Sequence, residues 1–501
     1  MKLHRLYLAG WVGMLVMALA GCEVGPKYTK ASVPTTPDYK EAPPESFKES
    51  GQWKPATPSD SALKGNWWEM FGDPELNSLE DQLTASNQDL KVAEARLREA
   101  RAVVHFNRSA EYPTLSAGPG ISAIRNSANT PYIPKTFNTA EYILPFDLSY
   151  EVDLWGRVRR TVAASREEAQ ATAGDYATAS LSLHAELAID YFELRSADAQ
   201  KRLLDDTVKA YADALQLTQN RFQGGVSPKS DVAQAQTQLD TTRVQDTDVT
   251  VARAQFEHAI AILIGKPPTE LNLPAAPLDL HPPVIPVGMP SDLLERRPDI
   301  ASGERRMAEA NQQIGIARAA YYPTLMLEGA AGFEGTSVTN WFTWPSRFWA
   351  VGPQVMQTVF DGGRRHAVSQ GALANYDAAV ATYRQTTLTA FQQVEDNLAA
   401  LRILEGEAQQ QQEATASAEE SLQLFTNRYK GGVDTYLQVI TAQTIALTNE
   451  RNDVDILRRR MDASVLLIKA VGGGWNVSEL PKEASMIPPA APSAACRHTR
   501  A

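Results

Sequence analysis

Leu373, Tyr376, Val380, Tyr383, Thr387, Ala390 and Val394 stand three and four residues apart in turn, and Leu398 and Leu401 extend the row. That alternation lays one apolar stripe along a helix, as in the seam of a coiled coil. Tyr176, Leu183, Leu187, Tyr191 and Leu194 form the corresponding row earlier in the chain. The segments Arg157 to Asn220 and Arg364 to Asn427 each hold 64 residues and no proline. A continuous helix of that length measures about 96 Å. One compact core cannot cover such a rod, so its neighbours must be equally long helices.

A second pattern has a period of two. Phe146, Leu148, Tyr150, Val152 and Leu154 are apolar, while Asp147, Ser149, Glu151 and Asp153 between them are polar. This predicts a strand with one greasy and one wet face. It fits the edge of a soluble sheet, or a membrane barrel with lipid on one face and a lumen on the other. In the stretch Trp349 to Phe360 the alternation is poor, with Gln357 interrupting it. Residues 113–125 and 323–335 are the expected hairpin partners, which makes four strands per chain. Four strands cannot close a barrel of useful bore, so a pore requires oligomerisation.

The two patterns recur because the chain is duplicated. Asn220-Arg221-Phe222-Gln223-Gly224-Gly225-Val226 returns as Asn427-Arg428-Tyr429-Lys430-Gly431-Gly432-Val433, shifted by 207 residues. Ala235-Gln236-Thr237 returns as Ala442-Gln443-Thr444, and Gly156-Arg157 as Gly363-Arg364, at the same shift. Tyr112-Pro113-Thr114-Leu115 returns as Tyr322-Pro323-Thr324-Leu325. Each repeat opens with a helix, expected over Pro74 to about Val104 and Ser291 to about Ala320 and stopped by Pro113 or Pro323. A strand hairpin and a long helix follow. A Gly-Gly turn then sends a return helix to about Leu263 or Ala470. The expected organisation is a leader over 1–21, an N-terminal extension over 22–72 and a first repeat over 73–275. A Pro-rich linker over 276–290, a second repeat over 291–475 and a disordered tail over 476–501 complete it.

Lys2, His4 and Arg5 precede an apolar run from Leu6 to Ala20, and Leu19-Ala20-Gly21-Cys22 closes it. This reads as a secretory signal peptide. A cysteine behind small residues resembles the bacterial lipobox, so Cys22 is expected to be the acylated N-terminus. Glu23, rather than Asp, at the next position favours outer-membrane sorting. Each buried methylene of an acyl anchor contributes about 0.8 kcal/mol. Beyond residue 22 no apolar run is long enough for a transmembrane helix, so a membrane span must be a β-barrel.

The net charge of −11 makes nucleic acid a poor partner. Two cysteines, Cys22 and Cys496, supply no disulfide framework. None of the seven histidines stands at metal-ligand spacing from another histidine or a cysteine, so no metal site or cofactor is expected. Gly472-Gly473-Gly474 lacks the Lys-Ser or Lys-Thr of a phosphate loop and reads as a helix C-cap. Gly362-Gly363-Arg364-Arg365 reads as a strand-to-helix junction, and no nucleophile motif appears, so no enzyme is expected.

Trp67-Trp68-Glu69-Met70-Phe71-Gly72-Asp73-Pro74-Glu75-Leu76 resembles the entry motif of the TolC-like outer-membrane efflux lipoproteins of the NodT type. Leu294-Glu295-Arg296-Arg297-Pro298-Asp299-Ile300, Ala310-Asn311-Gln312-Gln313-Ile314-Gly315 and Phe360-Asp361-Gly362-Gly363-Arg364 are similar to further markers of that family. The resemblance covers about residues 65–475. It implies an α+β membrane protein: a periplasmic tunnel of long antiparallel helices and a transmembrane β-barrel closed by trimerisation. It also implies docking to a periplasmic adaptor protein and a proton-driven inner-membrane efflux pump, with drugs, metals or other small solutes leaving through the duct.

Site residues follow from the strand pattern and the resemblance. Asp147, Glu151 and Asp153 are expected to face the lumen and favour cations, unless Arg157 or Arg159 pairs with some of them. Gly224, Gly225, Gly431 and Gly432 mark the hairpin tips that would meet the adaptor. The resemblance assigns a periplasmic gate to Arg428, Tyr429, Asp231 and Leu437, with Arg428 and Asp231 holding the closed state. Arg221 holds the place equivalent to Arg428, so Arg428 could equally be a helix-end charge. Thr441 stands where the family often has an acidic residue, so cation block there should be weak. Two other readings remain: the exit duct of a type I protein-secretion system, and a lipid-anchored coiled-coil protein without a pore.

Overall fold

The computed structural model describes residues 23–33, 36–44, 65–125, 127, 138–285, 290–482 and 485. The leader, Cys22, Cys496 and nearly all of the tail beyond 482 lie outside the described residues.

Two long helices dominate, α3 (Arg157–Gln223) and α7 (Arg364–Lys430), each 67 residues, or about 100 Å. Each pairs antiparallel with a 35-residue return helix, α4 (Lys229–Leu263) or α8 (Tyr436–Ala470). The turns between them explain the paired glycines. Val226 N donates to the Arg221 carbonyl and Gly225 N to that of Phe222; Val433 and Gly432 repeat this on Arg428 and Tyr429. These are Schellman closures, which need a left-handed residue at the turn. Gly225 at φ 73° and Gly432 at φ 75° supply it. On α7 the stripe from Tyr383 through Thr387, Ala390, Val394 and Leu398 to Leu401 is buried, and Leu373, Tyr376 and Val380 are half-buried.

The lead-in helices are each broken once. The first divides into α1 (Pro74–Ser86) and α2 (Gln88–Ser109). Asn87 makes the break: its Oδ1 accepts from Leu90 N, and its Nδ2 donates to the Leu263 carbonyl at 2.7 Å. The second divides into α5 (Leu293–Arg296) and α6 (Pro298–Ala319). Pro298 forces Arg297 into an extended conformation. The Arg297 side chain then bonds the Ala470 carbonyl and Gln393.

Each repeat contributes two passes to one antiparallel sheet. The first pass comprises β1 (Thr114–Ala117) and β2 (Gly120–Arg125), interrupted at Gly118-Pro119. Both segments pair with β3 (Asn138–Val152). β3 pairs with β4 (Thr324–Gly335), which pairs with β5 (Arg347–Met356). The β3–β4 ladder therefore joins the two repeats. β5 ends at Met356, which leaves Gln357 outside it; within it Trp349, Val351 and Val355 share one face and are 66–78% exposed. The expected extension to Phe360 was too long, and that length hid the alternation.

The main core lies where α1 and the middle of α3 and α7 meet the ends of α4 and α8, around Trp67, Trp68, Phe71, Leu187, Phe192, Val394 and Leu467. The described residues 23–33 and 36–44 pack on the outside of this core, through Tyr28, Val33 and Tyr39 among others. Val24 N bonds the Trp155 carbonyl at the foot of the sheet, and the backbone of Lys40 and Glu41 bonds Glu395 far along α7.

Candidate channel sites at the sheet foot and the hairpin tips

α3 and α7 carry the sheet at one end and the Gly-Gly turns at the other. The described residues contain no helix long and apolar enough to cross a membrane.

At the sheet foot the three candidate carboxylates part ways. Asp147 is exposed, opposite Ser116 and Ala330 in the ladder. Glu151 is ion-paired with Arg157 at 2.5–2.8 Å. Asp153 caps α3 by accepting from Val158 N and Arg159 N, and it pairs with the Arg159 guanidinium at 3.1 Å. Glu151 and Asp153 thus face local arginines, while Asp147 has no such counter-charge among its described contacts. Asp361 repeats the cap before α7, where it accepts from Arg365 N.

At the tips, Arg428 does not meet Asp231 within the subunit. Its guanidinium pairs with Asp434 of its own hairpin at 2.5 and 3.1 Å. The pairing raises Arg428 above the usual arginine value and lowers Asp434 below the usual carboxylate range. Asp231 lies nearer Arg221: desolvation pushes its carboxyl up and the Arg221 charge pulls it back. Tyr429 is buried, its ring 5.2 Å from that of Tyr436. Its hydroxyl lies 3.4 Å from Ser227 Oγ. Leu437 is 54% exposed. Thr441 donates its hydroxyl to the Leu437 carbonyl of its own helix. Gly224, Gly225, Gly431 and Gly432 lie in exposed turns.

Sequence reading missed four participants at the tips: Ser227, Asp434, Tyr436 and the reach of Arg221. Tyr211, Leu215, Ala235, Leu239, Tyr429, Tyr436 and Val439 form one buried cluster spanning both hairpins. The signal for Asp434 was present, since it lies six residues past Arg428, across the turn.

A buried pair went unnoticed between α1 and α3. Glu80 Oε2 lies 2.5 Å from His184 Nδ1, and Trp68 stacks on the imidazole at 4.4 Å. Burial pushes Glu80 up to about 9 and His184 down to about 4. Both are therefore held neutral.

Comparison with known proteins agrees with this architecture. The outer membrane efflux protein family profile matches residues 79–266 and 289–473. The toluene efflux pump outer membrane protein TtgF of Pseudomonas putida is 31% identical over 96% of this chain and 99% of its own. The pyoverdine export outer membrane protein OpmQ of Pseudomonas aeruginosa is 31% identical over 85% of this chain and 91% of its own. Among solved structures, the Campylobacter jejuni CmeC outer membrane channel superposes with a TM-score of 0.85 at 25% identity, covering 92% of this chain and 97% of that one.

Proposed function

The chain belongs to the outer membrane efflux protein family, and from that premise we propose how it works. It is the outer-membrane channel subunit of an efflux pump: a passive duct with a β-barrel in the membrane and a helical tunnel below. One observation carries the mechanism. A four-pass sheet whose outer passes, β1/β2 and β5, have no further partner strand among the described residues crowns two 67-residue helices. Bare strand edges cannot stand in a bilayer, because their amides would go unbonded. Three copies paired edge to edge would give twelve strands, enough for a water-filled bore.

In that trimer the hairpin tips converge and form the gate, and the adaptor meets the turns at Gly224, Gly225, Gly431 and Gly432. Arg428, Tyr429, Asp231 and Leu437 line the constriction, with Arg428 and Asp231 approaching across subunits. Thr441 supplies no carboxylate to bind a blocking cation. Asp147 faces the lumen. The energy comes from a proton-driven inner-membrane pump, which selects the cargo. Small organic solutes fit the cargo that relatives' names record: toluene, antibiotics and pyoverdine. Cys22 carries the acyl anchor; Glu23, the next residue, lies against Gly156 at the sheet foot, where an anchor could reach the membrane. Mass spectrometry of the mature N-terminus checks it: an intact leader or an unmodified Cys22 removes the anchor.

Deleting the gene and profiling toxic compounds tests the function. Several small organic toxicants should become more potent, with protein export unaffected. An unchanged profile alongside a lost secreted protein would make the chain a secretion duct.

A further inference from the structure

The register sorts the charges of the sheet by face. Tyr142, Leu144, Phe146, Leu148, Tyr150 and Val152 share one face of β3. The ladders carry that face to Phe333 and Arg347 on one side and to Ile121 and Arg125 on the other. Every carboxylate of the described strands, Glu141, Asp147, Glu151, Glu328 and Glu334, stands on the opposite face. Arg125 and Arg347 are therefore the only charges on the greasy face of those strands, and both are cations. Each lies on an outer pass, at the end of the sheet farthest from the helices.

An arginine on the lipid face is costly at the middle of a bilayer and nearly free at its surface. The dimensions place both at the surface. Val152 to Tyr142 is ten steps of β3. That is about 34 Å along the strand, or about 24–28 Å of depth at the usual barrel tilt, against an apolar band of about 25 Å. Arg347 is level with Leu144, just inside the upper edge of this band, and Arg125 is level with Asn138, just beyond it.

The loop that joins β4 to β5 is fixed from within. The Asn340 carbonyl accepts from the Thr343 hydroxyl at 2.8 Å and from the Ser346 hydroxyl at 2.6 Å. The loop folds onto the greasy face, with Trp341 5.6 Å from the Tyr142 ring and Phe342 5.5 Å from that of Phe333. Arg347 lays its guanidinium over the Trp344 ring and donates from Nε to the Trp344 carbonyl at 3.2 Å. Phe342 and Trp344 are nevertheless 60% and 78% exposed. A loop bonded into one shape that leaves large aromatics bare is built to meet an apolar phase, and tryptophan marks the depth of lipid headgroups.

We propose that Arg347, seated on Trp344, and Arg125 bind the phosphate groups of a glycolipid in the outer leaflet. Closing the barrel sets β5 of one copy beside β1/β2 of the next, so Arg347 and Arg125 of the next copy flank one seam and share one lipid. The guanidinium fork takes phosphate oxygens two at a time, and a face whose only charges are cations attracts an anionic surface. The placement rests on the channel reading.

The test uses purified full-length protein in detergent. Bis-phosphorylated lipid A is the probe, and lipid A stripped of both phosphates is its control. Native mass spectrometry counts the lipid retained, which should be one phosphorylated lipid per seam. Arg347→Gln and Arg125→Gln should each weaken binding about fivefold, and the two together about twenty-fivefold, at the usual contribution of one surface arginine apiece. The stripped lipid should bind the wild type about as weakly as the phosphorylated lipid binds the double variant. Equal retention of the two lipids by the wild type, a comparison that needs no variant to fold, would overturn the proposal. Ready displacement by inorganic phosphate would make this a site for the free anion and overturn the lipid assignment. In vesicles, brominated phosphatidylcholine should quench the fluorescence that Trp344→Phe removes. An unquenched Trp344 would set the loop away from the membrane, free for a protein partner, and would also overturn it. Conductance judges the channel reading separately. The arginine variants should conduct as the wild type does, and a wild type that never conducts would sink that reading while the lipid counts still judge the arginines.

Discussion

Replacing Arg195 by Met should destabilise the centre of the rod by about 3 kcal/mol, in the range for breaking a buried ion pair from one side. Arg195 is 2% exposed, on the buried face of α3. Its guanidinium pairs with Asp198 at 3.1 Å and with Glu75, and it donates to the Pro274 carbonyl at 2.8 Å. It also lies 4.8 Å from the centre of the Tyr191 ring. Methionine keeps most of the apolar stem and removes every polar contact. The loss stays at the lower end because Asp198 is not stranded: Arg253 pairs with it at 2.7 Å and Ala276 N donates to it. The Pro274 carbonyl is left without its arginine, so the segment that enters the linker between the repeats should loosen first. Urea unfolding of the detergent-purified protein, followed by tryptophan fluorescence, measures the change. Hydrogen exchange over residues 271–277 localises it. A loss below about 0.5 kcal/mol, the scatter of surface substitutions, would refute the idea that Arg195 pins the linker.

Arg428→Glu sets a second carboxylate beside Asp434 and should loosen the second tip. Single-channel conductance should rise and cells should admit vancomycin, while unchanged conductance in a normal trimer removes Arg428 from the gate. Asp147→Asn should reduce cation preference in reversal-potential measurements more than Glu151→Gln does, since Glu151 is already paired with Arg157. An equal effect of both would contradict the local pairing. Glu80→Gln should flatten the pH dependence of stability. Burial raises Glu80 from 4.5 to about 9, so its contribution is complete below 4.5 and is lost as pH rises towards 9. The wild-type urea midpoint should fall across that window relative to the glutamine variant; parallel curves would refute it. His184, lowered from 6.5 to about 4, acts oppositely: its contribution is present above 6.5 and is lost as pH falls towards 4.

What could be read from the sequence was what repeats or has a period. The 207-residue shift, the proline-free helices, the seam through Tyr383 and Val394 and the alternation from Phe146 to Val152 each follow from local chemistry. Breaks set by distant contacts were not legible: Asn87 ends α1 in order to bond the Leu263 carbonyl, a residue 176 positions away. At the tips, the family resemblance suggested Arg428 and Asp231 as partners. Within the subunit Asp434 meets Arg428 because a tight turn folds it back, and desolvation and Arg221 set the surroundings of Asp231. The reach of Arg221 to Tyr429 depends on how two hairpins pack, which no spacing within either one encodes.

The central claim is that copies of this chain close their sheets into a water-filled bore. Recording from purified protein in planar lipid bilayers tests it most directly, with cross-linking to establish that the recorded species is a trimer. The account predicts discrete, uniform conductance steps from the trimer, larger in Arg428→Glu. A folded trimer that inserts into the bilayer and carries no current would contradict it.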